Sequence, residues 1–399
     1  MMVDLIVIGG GAAGMAAAIS AAEVGDRVLI LESGDRVGKK ILASGNGRCN
    51  LMNTQPLRYN GDAGFAGAVL RRIGPGDLRS FWRRCGLFLA EETEGRVYPC
   101  SFQSSSVVSA LQAAMKRLGV EVVLNSPVNS LRKAGDHFMV QSASGERAGR
   151  RVLVAAGGLA QVRNPEPTGY SLLAGFGHRI TDLRPALTPI LTDRRSVSGL
   201  SGIRVRCNLA VVRGEEILHQ ESGEALFTDY GVSGICAMQC ARYVQPGCEI
   251  WMDLLGRVLP AGEEREAEFR FRARTFAGET PESLLNGLMV PRLSYAVCKQ
   301  AGLPLRGETI ADLTADQIHR VAETAACYRL QAVGIKGFEA AQVTRGGAIC
   351  GEFDPANMES RLVPGLHAAG EVLDVDGDCG GFNLMFAFAG GILAGRNGR

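Results

Sequence analysis

The chain has 399 residues, 46% hydrophobic and 21% charged, with a formal net charge of +2. That length exceeds one small core and predicts two or three domains of a soluble globular protein. The near-neutral charge argues against nucleic acid or anionic lipid as partners, and the eleven irregularly spaced cysteines, without a C-x-x-C pair, read as reduced thiols of a cytoplasmic protein.

The first apolar run, Val3–Ile8, is far shorter than the ~20 residues of a membrane span. Acidic Asp4 lies in it and no basic n-region or cleavage site accompanies it, so no signal peptide is expected. The run meets Gly9-Gly10-Gly11-Ala12-Ala13-Gly14, an alanine-rich helical stretch to Val24 with Gly25 as its stop, and a second apolar run that ends on Glu32. This is a β-α-β unit for the ADP half of a dinucleotide. Gly9 permits the tight turn, Gly11 lets the backbone approach a pyrophosphate, and Gly14 lets helix and strand pack closely. The helix N-terminus offers free N–H groups to phosphate, and Glu32 can accept from ribose hydroxyls.

A glycine-rich loop follows over residues 38–50, then helices over 76–85 and 104–118, with Gly119 stopping the second. Strands are predicted at 120–124, 137–142 and 151–156, the last running into Gly157-Gly158. The character changes near Pro185. Short antiparallel strands are expected at 205–212, 215–220 and 249–254. Residues 262–275 read as a solvated helix with Glu266/Arg270 and Glu268/Arg272 paired along one face. Helical stretches over 282–301 and 314–330 follow, and Pro291 should kink or divide the first. Residues 365–371 look like a strand ending in glycine, and Gly380-Gly381-Phe382-Asn383 opens an apolar helix through Leu393. The expected fold class is α/β. Residues 1–186 and 341–399 would form a discontinuous dinucleotide-binding domain, 187–256 a β-rich insertion and 257–340 a helical, lid-like segment, with a substrate cleft between fold and insertion.

The first motif does not choose the dinucleotide, because NAD-dependent dehydrogenases share it. Three further segments bear on the choice. Lys39 to Asn50 places Lys, Ser, Arg and Asn among glycines, a loop able to wrap a phosphate-rich cofactor. Val154 to Gly158 ends a strand on small residues, where a flat ligand can pass the backbone. Gly370-Glu371 through Asp376 to Gly381-Phe382-Asn383 supplies acids and then a new helix N-terminus, which gives positive potential to a reduced flavin. The four segments together fit an extended FAD. The residues expected to hold it are Gly9, Gly11, Ala12, Ala13, Gly14, Glu32, Ser33, Lys39, Lys40, Ser44, Gly45, Asn50, Val128, Ala156, Gly157, Gly158, Gly370, Glu371, Asp376, Gly381, Phe382, Asn383 and Leu384. No metal site is expected: Cys236 and Cys240 are not completed by a second Cys/His pair, and the five histidines are scattered.

Residues 38–50, 223–234 (GEALFTDYGVSG), 341–347 (AQVTRGG) and 370–384 (GEVLDVDGDCGGFNL) resemble, in order, the signatures of a bacterial flavoprotein family. It is the aminoacetone-oxidase-like, bile-acid-reductase-like group of NAD(P)/FAD-dependent oxidoreductases. The resemblance runs over nearly the whole chain. It implies a glutathione-reductase-like Rossmann domain holding non-covalent FAD, with an inserted β-barrel and a helical lid. Two positions depart from the pattern: Met385-Phe386 stand where the family shows Gln-Trp, and Ile235, followed by Cys236, stands where it shows Pro.

The expected activity is reduction of an activated C=C bond in a small to medium apolar substrate. NAD(P)H would be a transient co-substrate docking in the substrate cleft, since a single dinucleotide fingerprint is visible. An amine or aminoketone oxidase using O₂ is the alternative, and an FAD-containing RNA-modifying protein a further one, against which the missing basic stripe argues. No general base is identifiable. Arg48 can hold a carboxylate or the reduced flavin's charge, or form a loop salt bridge. Cys49 can touch the ring or be a packed thiol, as can Cys379. Asp229 and Tyr230 can point into the cleft or form a turn with Gly231. The oligomeric state is left open.

Overall fold

The computed structural model describes residues 2–161, 168–256 and 258–397, so the expected boundary at residue 257 falls outside the described residues. Two compact units are present, one built from Met1–Pro185 with Gln342–Arg399 and the other from Ala186–Ala341.

The first unit is organised by a seven-stranded sheet. Strands Glu121–Val123, Val28–Leu31, Val3–Ile8, Gly145–Val154 and Leu366–Ala368 run parallel in that order. The long strand Gly145–Val154 has two roles. Its second half pairs with Val3–Ile8 and Leu366–Ala368, while its first half pairs antiparallel with His137–Ser142, which pairs with Val128–Ala134. The parallel strands are apolar runs, as strands covered on both faces must be. Leu5, Ile6, Val7, Leu153 and Leu366 are wholly buried.

The first helix, Ala12–Glu23, and the C-terminal helix, Phe382–Arg396, pack against each other in this unit. Both are apolar nearly all round, which fits buried helices. Close approach is set by glycines: a Cβ added to Gly391 would lie 2.3 Å from the Ala13 carbonyl oxygen, and one on Gly395 would lie 2.4 Å from that of Ala17.

The second unit holds a closed barrel whose strands follow the order Ile190–Thr192, Gly231–Ser233, Glu216–Phe227, Arg204–Arg213, Glu249–Asp253 and Tyr328–Ile335. One apolar core runs from the barrel (Val211, Ile250, Leu330) into the helices that follow it (Phe269, Leu293, Val321). The solvated helix is present as Glu263–Thr275, with Glu266–Arg270 and Glu268–Arg272 ion pairs.

Several elements differ from expectation. The 38–50 segment is not all loop: Lys39–Ala43 is a short helix followed by a 3-10 turn over Ser44–Gly47. Its five helix-tolerant residues lie between Gly38, which is left-handed at φ +72, and that turn. The 282–301 stretch is split into a 3-10 turn Pro281–Leu285 and a helix Pro291–Gln300, each opened by its proline at the first position. The 314–330 helix ends at Ala326, and Tyr328–Ile335 is a barrel strand, with Tyr328, Leu330 and Ala332 facing in and Arg329, Gln331 and Val333 facing out. The strand expected over 215–220 continues to Phe227, and the C-terminal helix continues past Leu393 to Arg396.

Candidate functional site

The turn after the first strand shows why each glycine is there. Gly9 has φ +106, and a Cβ on it would stand 2.5 Å from the Ala155 carbonyl oxygen. A Cβ on Gly14 would stand 1.9 Å from the Gly9 carbonyl oxygen, so helix and strand could not approach as they do. Gly10 is constrained as well, with Val37 Cγ1 2.5 Å from the place of its Cβ. Gly11 is different. It caps the first helix with φ −83 and ψ −165, a backbone open to any residue, and a Cβ there meets nothing within 4 Å. Neither strain nor a protein neighbour requires this glycine, so the space beside it suits a ligand brought against the backbone. The cap has no side-chain hydrogen bond, which leaves the first-turn N–H groups available to phosphate.

Glu32 braces this turn. Its Oε2 accepts from Gly10 N–H and its Oε1 from Gly34 N–H, each at 2.7 Å, and Ser33 Oγ lies 3.3 Å from Oε1. A carboxylate has about four acceptor positions, so it can still take hydroxyl donors. Val128 is buried at the start of its strand, two residues after Ser126, whose N–H donates to the Glu32 carbonyl oxygen.

A second group of predicted residues meets around Glu371. Its Oε2 pairs with Lys40 Nζ at 2.9 Å, and its Oε1 accepts from Thr344 N–H at 2.8 Å. Thr344 Oγ1 accepts from the N–H groups of Leu159 and Ala160 at 2.8 and 3.2 Å. Tyr170 OH donates to the Glu371 carbonyl oxygen at 3.3 Å. A Cβ on Gly158 would stand 2.4 Å from both Glu371 Oε1 and Thr344 Oγ1, and one on Gly157 (φ +75) 4.0 Å from Lys40 Nζ. Ala156 is exposed beside them, and Lys39 and Ser33 are exposed too. Gly370, at φ +80, brings the place of its Cβ within 3.1 Å of Ala13 Cβ. Ala12 is partly exposed at the start of the first helix.

The third group surrounds the N-terminus of the C-terminal helix. Gly381 caps it at φ +102 without a side-chain hydrogen bond. Asn50 is buried, and its Oδ1 lies 2.6 Å from the place of a Gly381 Cβ. That oxygen has no hydrogen-bond partner among the described residues, and a buried amide oxygen without one is costly. Tyr59 OH donates to the Phe382 carbonyl oxygen at 2.7 Å, and burial holds its ionisation far above the ordinary tyrosine range. Asn383 is spent on structure: it accepts from Gly377 N–H at 2.8 Å and donates to Gly377 O at 2.7 Å. Asp376 is buried in the strand Val375–Gly377, opposite Asn60, and Leu384 is partly exposed. Ser44 Oγ donates to Ile41 O at 2.6 Å, and Gly45 is left-handed at φ +56.

Two side chains singled out for chemistry have other engagements. Arg48 pairs with Glu92 at 2.9 Å, and its guanidinium carbon stacks 4.4 Å from the centre of the Tyr98 ring and 4.8 Å from that of Phe102. Cys49 is fully buried at φ +58, and burial pushes its thiol up to about 11, away from thiolate chemistry. Cys379 lies 3.9 Å from Gln342 Oε1. Asp229 and Tyr230 belong to the second unit, in the turn closed by Thr228 and Gly231, with Lys336 Nζ 3.5 Å from the Tyr230 ring centre. Sequence reasoning passed over Thr344, Tyr59 and Gly10 as site residues. The AQVTRGG motif pointed to Thr344, while nothing local marks Tyr59.

The residues present fit FAD. Two uncapped helix N-termini, a glycine with open space at the first, a braced acid at the end of the second strand and an orphaned buried amide oxygen at the second helix all lie in one unit. No helix among the described residues is long and apolar enough to cross a membrane, and none of their His, Cys, Asp and Glu side chains form a group of three suited to a metal ion.

Comparison with known proteins agrees. The model of the HI0933-like protein Rossmann domain matches residues 3–397. The 3-dehydro-bile acid delta(4,6)-reductase of Clostridium scindens is 33% identical over 404 residues, covering 98% of this chain and 97% of that protein. The ribosomal RNA dihydrouridine synthase of Escherichia coli is 30% identical over 400 residues, covering 97% and 95%. Among solved structures, the open conformation of a flavocytochrome c3 fumarate reductase matches with a TM-score of 0.51 at 16% identity, covering 100% of this chain and 78% of that one. That likeness speaks for the fold alone.

Proposed function

The chain belongs to the HI0933-like Rossmann family and is an FAD-dependent oxidoreductase, and we propose that it reduces a C=C bond conjugated to a carbonyl in a small to medium apolar substrate, drawing electrons from NAD(P)H. The observation that carries this reading is the full-length likeness to a reductase of unsaturated bile acids. FAD, when bound, supplies two-electron transfer at its ring. The chain's own residues bind and orient it. The first-turn N–H groups after Gly11 take the pyrophosphate, and Glu32 takes ribose hydroxyls. The Lys40–Glu371–Thr344 cluster orders the backbone at Gly157-Gly158. The N-terminus at Phe382 favours negative charge on the reduced ring, and Asn50 Oδ1 offers an acceptor beside it.

A second reading has its own support. The E. coli relative is named for making dihydrouridine in ribosomal RNA, and uridine's ring double bond is also conjugated to a carbonyl. The net charge of +2 weighs toward the small-molecule substrate.

Rapid anaerobic mixing tests both. Bleaching of the flavin by NADH or NADPH, followed by reoxidation with a 3-keto-4,6-diene steroid acid, is the expected result. A flavin that neither nicotinamide bleaches removes NAD(P)H from the proposal. Reoxidation by unmodified ribosomal RNA and not by the dienone moves the assignment to the second reading. Hydrogen peroxide release with an aminoketone, with no effect of the dienone, moves it to an oxidase.

A further inference from the structure

The last helix opens on donors and an acceptor that stand side by side without pairing. Phe382–Arg396 is 15 residues long, and its cap, Gly381, has no side chain to accept from the first turn. The helix ladder begins with the Met385 N–H bond to the Gly381 carbonyl oxygen, which leaves the N–H groups of Phe382, Asn383 and Leu384 outside it. Asn50 faces the same cap. It is 9% exposed, its Oδ1 stands 2.6 Å from the place of a Gly381 Cβ, and that oxygen has no partner among the described residues. An asparagine serving as cap would accept one of the first-turn N–H groups; this one, brought in by another element, does not.

The placing of Asn50 is fixed from both sides. Asn46 and Cys49, just before it, are left-handed at φ +53 and +58, a conformation that costs a non-glycine residue and persists only where neighbours over-determine it. Those neighbours are visible. Arg48 is pinned by Glu92 and by the rings of Tyr98 and Phe102, the Cys49 side chain is fully buried, and on the far side the Leu51 N–H donates to the Val97 carbonyl oxygen at 2.8 Å. Free N–H groups beside a fixed, unsatisfied oxygen are the complement of a lactam or imide edge, where a carbonyl and an N–H are neighbours. The ADP half of the cofactor belongs to the first helix, so the group with such an edge left for the last helix is the flavin ring, at C2=O and N3–H.

We propose that Asn50 Oδ1 accepts the N3–H of the flavin while the first-turn N–H groups take the neighbouring C2 carbonyl oxygen, which makes Asn50 the residue that selects an unsubstituted imide edge. This contact presupposes FAD as the cofactor. The N3 proton is present on the oxidised and the reduced ring alike, so Asn50 sets affinity and orientation and moves no proton.

The test compares FAD with N3-methyl FAD, which keeps both carbonyls and carries a methyl group in place of the N–H, in flavin-fluorescence titrations of the full-length protein stripped of cofactor. The wild type should bind the analogue at least about tenfold more weakly than FAD, because the exchange removes a buried hydrogen bond and sets a methyl group against Oδ1. In Asn50→Ala, FAD itself should bind about tenfold more weakly than to the wild type, and the preference for FAD over the analogue should fall below about threefold. Equal affinities of the wild type for the two ligands overturn the proposal. So does an Asn50→Ala variant that keeps the wild-type preference, which would move the acceptor to another group, such as the Met52 carbonyl oxygen, 2.7 Å from the same Cβ place. A protein that binds neither ligand removes FAD itself and the contact with it, a result distinct from tight FAD binding without preference. Where Asn50→Ala does not fold, FAD isotopically labelled at N3 decides on the wild type: the N3 proton signal should persist in water, and its loss to exchange overturns the proposal.

Discussion

Gly11 and Gly14 belong to one fingerprint but answer to different forces, and substitution should separate them. A side chain on Gly14 must displace the Gly9 carbonyl, 1.9 Å from where its Cβ would sit. Gly14→Ala should therefore destabilise the fold by roughly 3 kcal/mol, the upper end for overpacking, measured by denaturant unfolding. At Gly11 the backbone is ordinary and the neighbouring space is open. Gly11→Val should cost the apoprotein no more than about 1 kcal/mol, from cap preference. It should weaken FAD binding at least about tenfold, or ~1.4 kcal/mol, read from a flavin titration. An unchanged affinity would mean that the phosphates do not approach this turn. At this scale the sequence was legible where the backbone itself sets the demand, as at Gly9 and Gly14. It was not legible where a residue's role depends on a distant partner. Arg48 reads equally as an anion binder or as a loop salt bridge; it forms the salt bridge, to Glu92, and stacks on Tyr98 and Phe102, partners that the local sequence does not name. Tyr59 carries no local signal, because the Phe382 carbonyl it serves lies 323 residues away.

The first and last helices join the two parts of the dinucleotide unit through their smallest residues. Gly391 and Gly395 lie one turn apart, and each faces a carbonyl of the first helix. The contact is made at backbone distance, so Gly395→Val has no room to relax by rotating a side chain. A loss of roughly 3 kcal/mol or more is expected, with a parallel fall in FAD occupancy, since Gly370 and Gly381 are positioned by the same helix pair. Chemical denaturation followed by both ellipticity and flavin fluorescence checks this, and a variant with wild-type midpoint would show that the helices can separate without cost. Elements with long uniform patterns were readable: the apolar parallel strands, the helix Ser104–Arg117 and the charged helix Glu263–Thr275. Short ones were not. The three-stranded sheet of Met52–Asn53, Leu89–Glu91 and Arg96–Pro99 has no strand long enough to show a period. The strand Tyr328–Ile335 follows a helix after a single intervening residue, Cys327, so the two patterns merge when read in line.

At the scale of the molecule, the chain leaves the dinucleotide unit once and returns once. The departing strand Arg184–Ala186 pairs with the returning strand Val343–Arg345, so the two crossing points are neighbours. Each unit also has its own apolar core: one centred on the parallel sheet and its two helices, the other on the barrel. Every residue expected to hold FAD lies in the first unit. Stability and cofactor binding of that unit should therefore survive removal of the second. Replacing residues 187–340 with a short Gly/Ser connection adds little loop-closure entropy, because the ends to be joined are already side by side. The shortened protein should bind FAD with an affinity within about tenfold of the full chain, a change of ~1.4 kcal/mol, and should lose turnover of the dienone. Flavin titration and steady-state assay of the two proteins side by side measure both. A folded but colourless product, still colourless after incubation with FAD, would mean that the barrel unit contributes to the cofactor site.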